Sequence, residues 1–597
     1  MRRSIIVSLL VFLSVTAFAL ESFGPSSVFS VDPNPPEVSE RGFNYVQANA
    51  PKEGEIRLGS FGSFNNLNPF IISGVAADGL DHTYEPLGMQ SYDALDTVYA
   101  LIAESFALDN DHKTFTVRLR KHARFHDGTQ VSSADIEASY TALIAHGHPA
   151  YQQLFTGILR VELPDPHTII FHFDDHASRD LPFNIASLPV LSKHDLSERE
   201  FSKTTMRPLQ GTGPYIIDKI SPGHAVSYRL NPSYWGANLN INRGRHNFRL
   251  ISYRYFRDQS IALTAFKAGR YDWRSENIAK FWARQYQGKS FTSGDIIKVE
   301  VPVETPVGMQ AFAMNTRRAP FKDRRVREAL NLAFDFDWLN NNLFYRSYQR
   351  SQSFFSHSEF AATSKLSAAE AALLTPYRSS LPDALWSGAE PISNASLTAR
   401  LHTAQNLLDQ AGWIVEGNHR RHLQSGKKLQ FTLLINSPAM QRVALPYQQI
   451  LERLGIAMKI QLISPSDWIA RIKSSDFEMT TYSWPAPTNP GSEQFLFWHS
   501  SQAHQVGSLN IMGIDNPAVD SLVTQINVAK HKSDVTMQMR ALDRILMWQY
   551  YVIPHWHLGY SRIAYWKSLC PPKTYPRYGV DLSSWYHIGD SSKTCLK

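Results

Sequence analysis

Residues 211–215 read GTGPY, and residues 231–236 read NPSYWG. A lone GTGPY carries little information about a fold, but here it opens an ordered series of segments. The series continues through residues 242–245 (NRGR), 255–258 (YFRD), 312–332 (FAMNTRRAPFKDRRVREALNL) and 541–556 (ALDRILMWQYYVIPHW). The pattern therefore extends over most of the chain.

The pattern of apolar residues predicts strands in the part of the chain that precedes this series. Residues 56–61 have the composition of a strand, and apolar residues alternate along 115–119. Residues 158–163 and 168–173 form a predicted hairpin across the turn signal Pro164-Asp165-Pro166. These segments indicate that β-structure forms before the GTGPY segment is reached.

The second half adds helices between strands. Apolar residues at helical spacing predict a helix over 404–411, and Gly412 closes it. A strand over 428–436, a helix over 447–455 and a strand over 457–463 follow. The recurrence of helix and strand predicts an α/β fold.

The amino terminus predicts export. Arg2 and Arg3 precede an apolar run over 5–15, and Ala17-Phe18-Ala19 has the A-x-A pattern of a signal peptidase site, with cleavage after Ala19. An uncleaved anchor is the alternative, although about eleven apolar residues are too few to span a bilayer. Since no cysteine lies near the cleavage point to accept lipid, we expect a free periplasmic protein.

Composition and charge favour a large soluble protein of two or three domains. Hydrophobic residues make up 43% of the 597 residues, and the mean hydropathy is −0.28. The net charge is +7, and its densest basic run is 317–327. Acids interrupt this run, and apolar residues recur at helical spacing. We therefore predict the solvated face of an amphipathic helix rather than a nucleic-acid interface.

The two cysteines, Cys570 and Cys595, both lie near the carboxyl end. In an oxidising compartment nearby thiols tend to pair, so we predict a disulfide between them. Two unpaired thiols remain the alternative, because spacing does not show that their Cβ atoms approach. No metal-ligand spacing accompanies them, and no metal site is predicted.

Sequence motifs of enzymes are absent. The chain has no G-x-S-x-G, H-E-x-x-H, G-x-x-x-x-G-K-[ST] or G-x-G-x-x-G segment. His126 and Asp127 precede Gly128, and Asp-Gly favours a turn over a catalytic pair. A carboxylate pair for glycoside hydrolysis stays open, since its separation is a property of the folded chain. We predict no catalytic residues, no cofactor and no enzyme activity.

The ordered series resembles the extracytoplasmic solute-binding proteins of family 5, the peptide- and nickel-binding receptors of ABC importers, and in particular their YejA branch. The resemblance implies a periplasmic binding protein-like α/β fold of the cluster C type, with two lobes, a hinge and an additional domain. It divides the chain into a first lobe (20–84, 201–305 and 556–597), an additional domain (85–200) and a second lobe (306–555).

Matching the family's contact positions to this sequence implies a ligand site between the lobes. Two alternatives stay open: Trp484 and Trp556 have the composition of core residues as well, and Arg274 and Glu276 could pair with each other. The implied ligand-binding residues are Ser73, Gly74, Val75, Arg274, Glu276, Asn277, Gln310, Arg471, Trp484, Trp556, His557 and Tyr560.

One departure from the family concerns the ligand. Related peptide receptors have an acid a few positions after the tryptophan that matches Trp484, where it pairs with the peptide's ammonium group. Here no acid occurs before Glu493. An ammonium buried without a counter-charge is costly, which weakens the case for ordinary peptides.

The resemblance implies a monomeric receptor that closes around peptides or modified peptides and delivers them to an inner-membrane ABC permease. Murein peptides and microcin C-like compounds are the expected modified peptides, and nucleic acid is not an expected partner. Receptors for an oligosaccharide or a metal complex are the first alternative. A periplasmic chaperone is the second, and an enzyme the last.

Overall fold

The computed structural model of this chain describes residues 23–588, except 31, 33, 149, 176, 364 and 530, together with 594–596. The predicted signal peptide lies outside the described residues. The strands are β1 (Phe23–Ser26), β2 (Val28–Ser30), β3 (Glu55–Phe61), β4 (Gly88–Ser91), β5 (Ala94–Ala100), β6 (Ala103–Leu108), β7 (Thr114–Leu119), β8 (Ile158–Asp165), β9 (Thr168–Phe173), β10 (Tyr215–Ser221), β11 (Ala225–Leu230), β12 (Leu250–Phe256), β13 (Trp273–Ser275), β14 (Ile296–Pro302), β15 (Met309–Met314), β16 (Gln349–Arg350), β17 (Trp413–Glu416), β18 (His419–His422), β19 (Gln430–Ile435), β20 (Ala457–Leu462), β21 (Met479–Trp484), β22 (Val552–Pro554), β23 (Trp556–His557), β24 (Tyr560–Trp566), β25 (Leu569–Cys570) and β26 (Tyr586–His587).

Helices lie mainly between these strands. They are α1 (Ser133–His146), α2 (Ala150–Leu154), α3 (Leu181–Ala186), α4 (Lys193–Ser197), α5 (Gln259–Lys267), α6 (Ala279–Arg284), α7 (Lys289–Thr292), α8 (Ala319–Lys322), α9 (Arg324–Leu332), α10 (Phe336–Asn342), α11 (Ala368–Leu374), α12 (Leu397–Gln410), α13 (Pro438–Arg453), α14 (Pro465–Lys473), α15 (Ser492–Trp498), α16 (Pro517–Val528) and α17 (Lys532–Trp548).

Two large sheets organise the molecule. Sheet A has seven strands in the order β10-β11-β12-β3-β13-β24-β14, and sheet B has five in the order β20-β19-β21-β15-β22. Every strand of sheet B comes from the chain between β14 and β24. The chain therefore passes between the two sheets twice, once after Pro302 and once after Pro554.

Both faces of sheet B are buried. Along β15, Met309 and Ala311 pack in one apolar cluster, whereas Phe312 and Met314 pack in the cluster on the other face. A strand buried on both faces needs a nearly continuous apolar sequence, as MQAFAM provides. Helices α9, α12 and α13 cover one face, and α16 and α17 cover the other.

A third sheet, sheet C, has the antiparallel order β1-β6-β7-β9-β8. Helix α1 packs on it and begins with a capping box between Ser132 and Asp135. Sheets A and C share one apolar core. The fold is thus α/β with two lobes and an additional domain, which confirms the predicted class; the residue boundaries of the three parts stay a prediction.

Cys570 and Cys595 form a disulfide, with their Cα atoms 5.6 Å apart. Cys570 lies fully buried at the end of β25, which pairs with β26. Closing a loop of 25 residues contributes about 3 kcal/mol in the chain-entropy model. The bond fixes the carboxyl-terminal segment, and the alternative of two unpaired thiols is wrong.

The basic run 317–327 is only partly the predicted solvated face: Arg318, Lys322 and Arg325 are exposed, whereas Arg317 and Arg327 are not. The guanidinium of Arg317 donates to the backbone oxygens of Ala503 and Ile511, and that of Arg327 donates to those of Gln549 and Phe321. Arg327 is only 4% exposed. These arginines satisfy backbone carbonyls between elements, a role that helical periodicity does not reveal.

No helix of the described residues combines the length and the apolar character that crossing a bilayer requires. Within the same residues, no group of three or more His, Cys, Asp or Glu side chains is arranged to hold a metal ion.

Candidate functional site

The edges of sheets A and B face each other. The two connections join Pro302 to Met309 and Pro554 to Tyr560. Strands β3, β12 and β13 are parallel, so their carboxyl ends lie at the Tyr560 edge of sheet A. Those of β19, β20, β21 and β22 lie at the Met309 edge of sheet B. Since ligands of open α/β sheets bind beyond the carboxyl ends of strands, the space between these edges, here called the cleft, is the candidate site.

Two tyrosines reach across the cleft in opposite directions. The hydroxyl of Tyr348, which precedes β16, donates to the backbone oxygen of Asn277 at 3.4 Å. The hydroxyl of Tyr560, at the start of β24, donates to the backbone oxygen of Ser347 at 3.3 Å. Both hydrogen bonds are long, so they hold the edges together weakly and reversibly.

Sheet C and its neighbours contact the sheet B side as well. Lys532, the first residue of α17, pairs with Asp96 of β5 at 2.8 Å and with Glu359 at 3.0 Å. Arg179, just before α3, donates to the backbone oxygen of Pro490 at 3.0 Å and to the side chain of Asn489. Residues of β5 and of the segment before α3 thus contact the sheet B side as well.

The predicted contact loop Ser73-Gly74-Val75 is solvent-exposed after β3. Its shape is fixed by Asn65 and Asn66: the Val75 amide donates to Asn65 Oδ1 at 2.7 Å, and Asn66 Nδ2 donates to the Ser73 backbone oxygen at 3.0 Å. Gly74 has φ of +77°, a conformation that strains other residues. The loop is therefore exposed and held in one conformation by hydrogen bonds to Asn65 and Asn66.

Arg274 and Glu276 form a buried ion pair at 3.0 Å. The hydroxyls of Tyr271 and Tyr286 also accept from Arg274, each at 2.9 Å. Glu276 accepts in addition from the backbone amide of Ile278. The alternative that these two charges pair with each other therefore holds, and the pair positions the chain that leads to Asn277. Asn277 itself is exposed at the cleft.

Gln310 lies on β15 and Trp484 on the antiparallel strand β21. Gln310 pairs with Ser483, and Trp484 pairs with Met309. Gln310 is half-buried, and its backbone oxygen accepts from the His555 amide at 2.9 Å. Trp484 is 3% exposed, and its ring packs against Phe354 and Trp498 at centroid distances of 5.8 and 5.7 Å. Trp484 is thus a core residue in this arrangement.

Trp556 and His557 form β23 at the cleft edge of sheet B. The Trp556 ring packs against Phe344 with centroids 4.4 Å apart. His557 Nδ1 lies 3.1 Å from the Ser351 hydroxyl, and its ring is 4.8 Å from that of His357. Burial, together with the charge of His357, lowers the pKa of His557 to about 4, so the imidazole is a neutral hydrogen-bonding group at pH 7.

Arg471 lies at the end of sheet B that faces away from the cleft. It lies in the last turn of α14, and its Nε donates to the backbone oxygen of Asp476 at 2.9 Å. Asp476 precedes β21, at the edge of sheet B opposite to Trp484. Asn277 and Tyr560 take part in the two hydrogen bonds that cross the cleft. The ligand-binding role of the predicted residues stays a prediction.

The first acid after Trp484 is already engaged. The Glu493 carboxylate accepts from the Gly491 amide at 2.9 Å and caps α15. Burial, with a contribution from the charge of Asp180, raises the pKa of Glu493. A Cβ on Gly491 would lie 2.8 Å from Oδ1 of Asp180, so this second carboxylate abuts the same turn. Only the fold shows that it approaches Glu493.

Sequence reasoning missed one residue of the cleft and one cavity beside it. Arg562, two residues after Tyr560, is 1% exposed and has no local motif that marks it. A cavity of about 740 Å³ opens beside His557, within the size range of small-ligand pockets. Its basic lining comes from Arg350, Arg400 and Arg544, which are distant in sequence.

Comparison with known proteins identifies relatives along nearly the whole chain. The probable peptide-binding protein YejA of Agrobacterium fabrum is 36% identical over 558 residues, covering 91% of each chain. The uncharacterized protein YejA of Escherichia coli is 34% identical, covering 91% of this chain and 90% of its own. The peptidoglycan-binding protein YepA of A. fabrum is 31% identical over 92% of each chain.

Solved structures share the fold at lower identity. The oligopeptide-binding protein AppA of Bacillus subtilis, in complex with a nonapeptide, matches with a TM-score of 0.66 and 17% identity, over 91% of this chain and 100% of its own. NikA of Brucella suis, in complex with Fe(III)-EDTA, matches with a TM-score of 0.66 and 19% identity, over 86% and 96%. The fold alone therefore does not identify the ligand.

Residues 97–505 match the family described as "Bacterial extracellular solute-binding proteins, family 5 Middle". Together with relatives above 30% identity over nine-tenths of the chain, this match settles the family. The chain belongs to the bacterial extracellular solute-binding proteins of family 5.

Proposed function

We propose that this protein is the receptor of an ABC importer that captures peptides or modified peptides, such as murein peptides, in the cleft between sheets A and B. The observation that carries this proposal is the arrangement of the cleft. The chain passes between the facing ends of the two sheets at the connections after Pro302 and Pro554, and the other contacts across the cleft are non-covalent, so the two sides can separate and close about a solute.

The relatives support the peptide class. One relative, 36% identical, bears the name probable peptide-binding protein, and another, 31% identical, is named a peptidoglycan-binding protein. The exposed backbone of Gly74 and the exposed side chain of Asn277 offer polar groups to an extended ligand. Solute binding rather than catalysis is the activity of this family.

The remaining assignments follow from the same proposal. The receptor is periplasmic, is released by cleavage after Ala19, acts as a monomer and delivers its solute to an inner-membrane permease. Its first lobe comprises residues 20–84, 201–305 and 556–597, its additional domain 85–200, and its second lobe 306–555. When the second lobe closes on the first lobe and the additional domain, the protein takes on a shape that the permease can recognise.

Native mass spectrometry of the protein purified from its host tests this function. We expect a bound mass that denaturation releases and that fragments as an intact peptide or muropeptide. A released sugar or metal complex would contradict the peptide class. If no mass is retained, titration calorimetry with the murein tripeptide L-alanyl-γ-D-glutamyl-meso-diaminopimelate decides, and absence of binding there counts against murein peptides.

A further inference from the structure

Arg562 carries a buried positive charge that contacts two tyrosine rings but, among the described residues, has neither a hydrogen bond nor an ion pair. It is 1% exposed, and within the part of the chain that the structure describes none of its three guanidinium nitrogens has a hydrogen-bond acceptor. No ion pair of the described residues includes it. Burying a charge without a counter-charge or hydrogen bonds is strongly unfavourable, so a site of this kind is incomplete without a further group.

Among the described residues, Arg562 is distinguished by lacking hydrogen bonds at all three guanidinium nitrogens, whereas Arg179, Arg350 and Arg544 lack one only at Nε. Arg420, also 1% exposed, donates to the backbone oxygens of Leu454 and Trp413 and pairs with Asp409. Arg274 makes hydrogen bonds through all three of its nitrogens. The unsatisfied state of Arg562 is therefore a local property of its position rather than a general feature of arginines in this fold.

The position of Arg562 is the cleft. Its guanidinium lies 5.5 Å from the ring centre of Tyr348 and 5.6 Å from that of Tyr560. These are the two tyrosines whose hydroxyls cross the cleft to Asn277 and Ser347. Opening the cleft would withdraw Tyr348 and uncover the guanidinium, and closing it would enclose whatever group the guanidinium had bound.

Two carboxylates lie near Arg562, and among the described residues neither approaches it closely enough to form an ion pair. Glu300, which faces Arg562 across β14 and β24, accepts from the indole of Trp282 at 2.7 Å. Glu276 is taken by Arg274. Lys298 adds a further positive charge on the same face, since it pairs in register with Ala564. Three cations and two carboxylates leave this corner of the cleft one positive charge in excess.

We propose that Arg562 is the anion-binding group of the cleft and that it holds a carboxylate of the bound solute. A guanidinium presents a planar pair of donors that matches a carboxylate in two parallel hydrogen bonds. The inference rests on the proposed function for the peptide part of the ligand, but the anionic part follows from Arg562 alone. Acidic peptides are thus the preferred class of solute.

This assignment also bears on the missing acid after Trp484. Since Glu493 caps its own helix, the cleft offers its free charge to a carboxylate rather than to an ammonium group. The receptor then anchors its solute by the anionic end. A peptide whose amino terminus is blocked would lose nothing, whereas one whose carboxylates are blocked would lose its anchor.

Titration calorimetry with two probes tests the proposal: the murein tripeptide, and the same tripeptide with every carboxylate amidated. We expect the wild type to bind the acid about 100-fold more tightly than the amide. In Arg562→Met the affinity for the acid should fall by a similar factor, and the affinity for the amide should stay the same. Arg562→Lys keeps the positive charge but lacks the planar pair of donors, so its affinity for the acid should lie between those of the wild type and Arg562→Met. Circular dichroism checks that the variants fold.

Lys298→Met is the matched control, because it removes a neighbouring cation that already donates to the Trp282 backbone oxygen at 2.9 Å. It should bind the acid within about threefold of wild type. Equal binding of acid and amide by the wild type, or unchanged acid binding in Arg562→Met, would overturn the proposal.

Failure of the peptide function itself has a separate signature, in which the wild type binds neither probe. Native mass spectrometry of wild type and Arg562→Met from the same host then decides. A carboxylate-bearing mass that the wild type retains and the variant loses supports the carboxylate role with another solute. A retained neutral solute, a phosphate compound without a carboxylate, an equal load on both proteins or no retained mass contradicts it.

Discussion

Lys532 Nζ lies 2.8 Å from a carboxylate oxygen of Asp96, and this ion pair ties the first turn of α17 to β5 on the other side of the cleft. The same ammonium pairs with Glu359 at 3.0 Å, on its own side. Opening the cleft must therefore break the pair with Asp96 and can leave the pair with Glu359 intact. We therefore expect the Lys532–Asp96 pair to stabilise the closed state, and we call it the latch.

Asp96→Asn should favour the open state. A partly exposed ion pair contributes up to about 1 kcal/mol, so solute affinity should fall about two- to fivefold, with faster dissociation. Stopped-flow fluorescence and calorimetry measure this, and the effect should shrink at high salt. Glu359→Gln, which removes only the partner on the same side, is the control. An equal loss of affinity in both variants would show that the pair does not act as a latch.

Trp484→Ala should lower the free energy of unfolding by about 3 to 5 kcal/mol, since the ring is buried among Phe354 and Trp498. Trp484→Phe keeps most of the apolar volume and should cost less, with solute affinity within about twofold of wild type. Urea denaturation and calorimetry give the two quantities. A large loss of affinity in a Trp484→Phe protein of near-normal stability would return this residue to the ligand site.

Cys595→Ser should destabilise the protein by about 3 kcal/mol, because it removes the loop constraint between residues 570 and 595. Dithiothreitol should have the same effect on the wild type and none on the variant. Thermal unfolding with and without reductant measures both. Identical unfolding of oxidised and reduced wild type would contradict a stabilising disulfide.

His555 should make stability depend on pH. Burial, with a contribution from the charge of Arg350, lowers the pKa of His555 to about 3. Between about pH 6.5 and pH 3 the unfolded chain binds a proton that the folded chain refuses, so stability falls as the pH falls through this window. The loss is on the order of 4 kcal/mol at the acid end.

The difference between wild type and His555→Leu isolates this residue from other titrating groups. Urea unfolding at pH 4, 5, 6 and 7 should show a steeper loss of stability toward low pH in the wild type. Parallel pH profiles for the two proteins would mean that the imidazole is protonated without penalty in the folded state.

Local patterns predicted much of the fold. Strand β3, the hairpin of β8 and β9, and the capping box of α1 all follow from periodicity and turn chemistry within a few residues. Helix α13 is longer than the predicted 447–455, because Pro446 lies inside it and only tertiary packing offsets that cost. Boundaries that depend on packing lie beyond local sequence rules.

The side-chain contacts at the candidate site depend on the fold more than on local sequence. The pairing of Arg274 with Glu276 depends on Tyr271 and Tyr286, whose hydroxyls approach only in the fold. Arg562 could not be singled out, since its burial is completed by Tyr348 from far earlier in the chain. A missing hydrogen-bond partner leaves no mark in a sequence.

The interior position of β24 in sheet A has a consequence for biosynthesis. It lies between β13 and β14, yet it is encoded after every strand of sheet B. A nascent chain that emerges amino end first therefore exposes the unpaired edges of β13 and β14 until residue 566 is free. Translocation of the last few dozen residues, rather than folding of either half, sets the moment at which the chain stops being prone to aggregation.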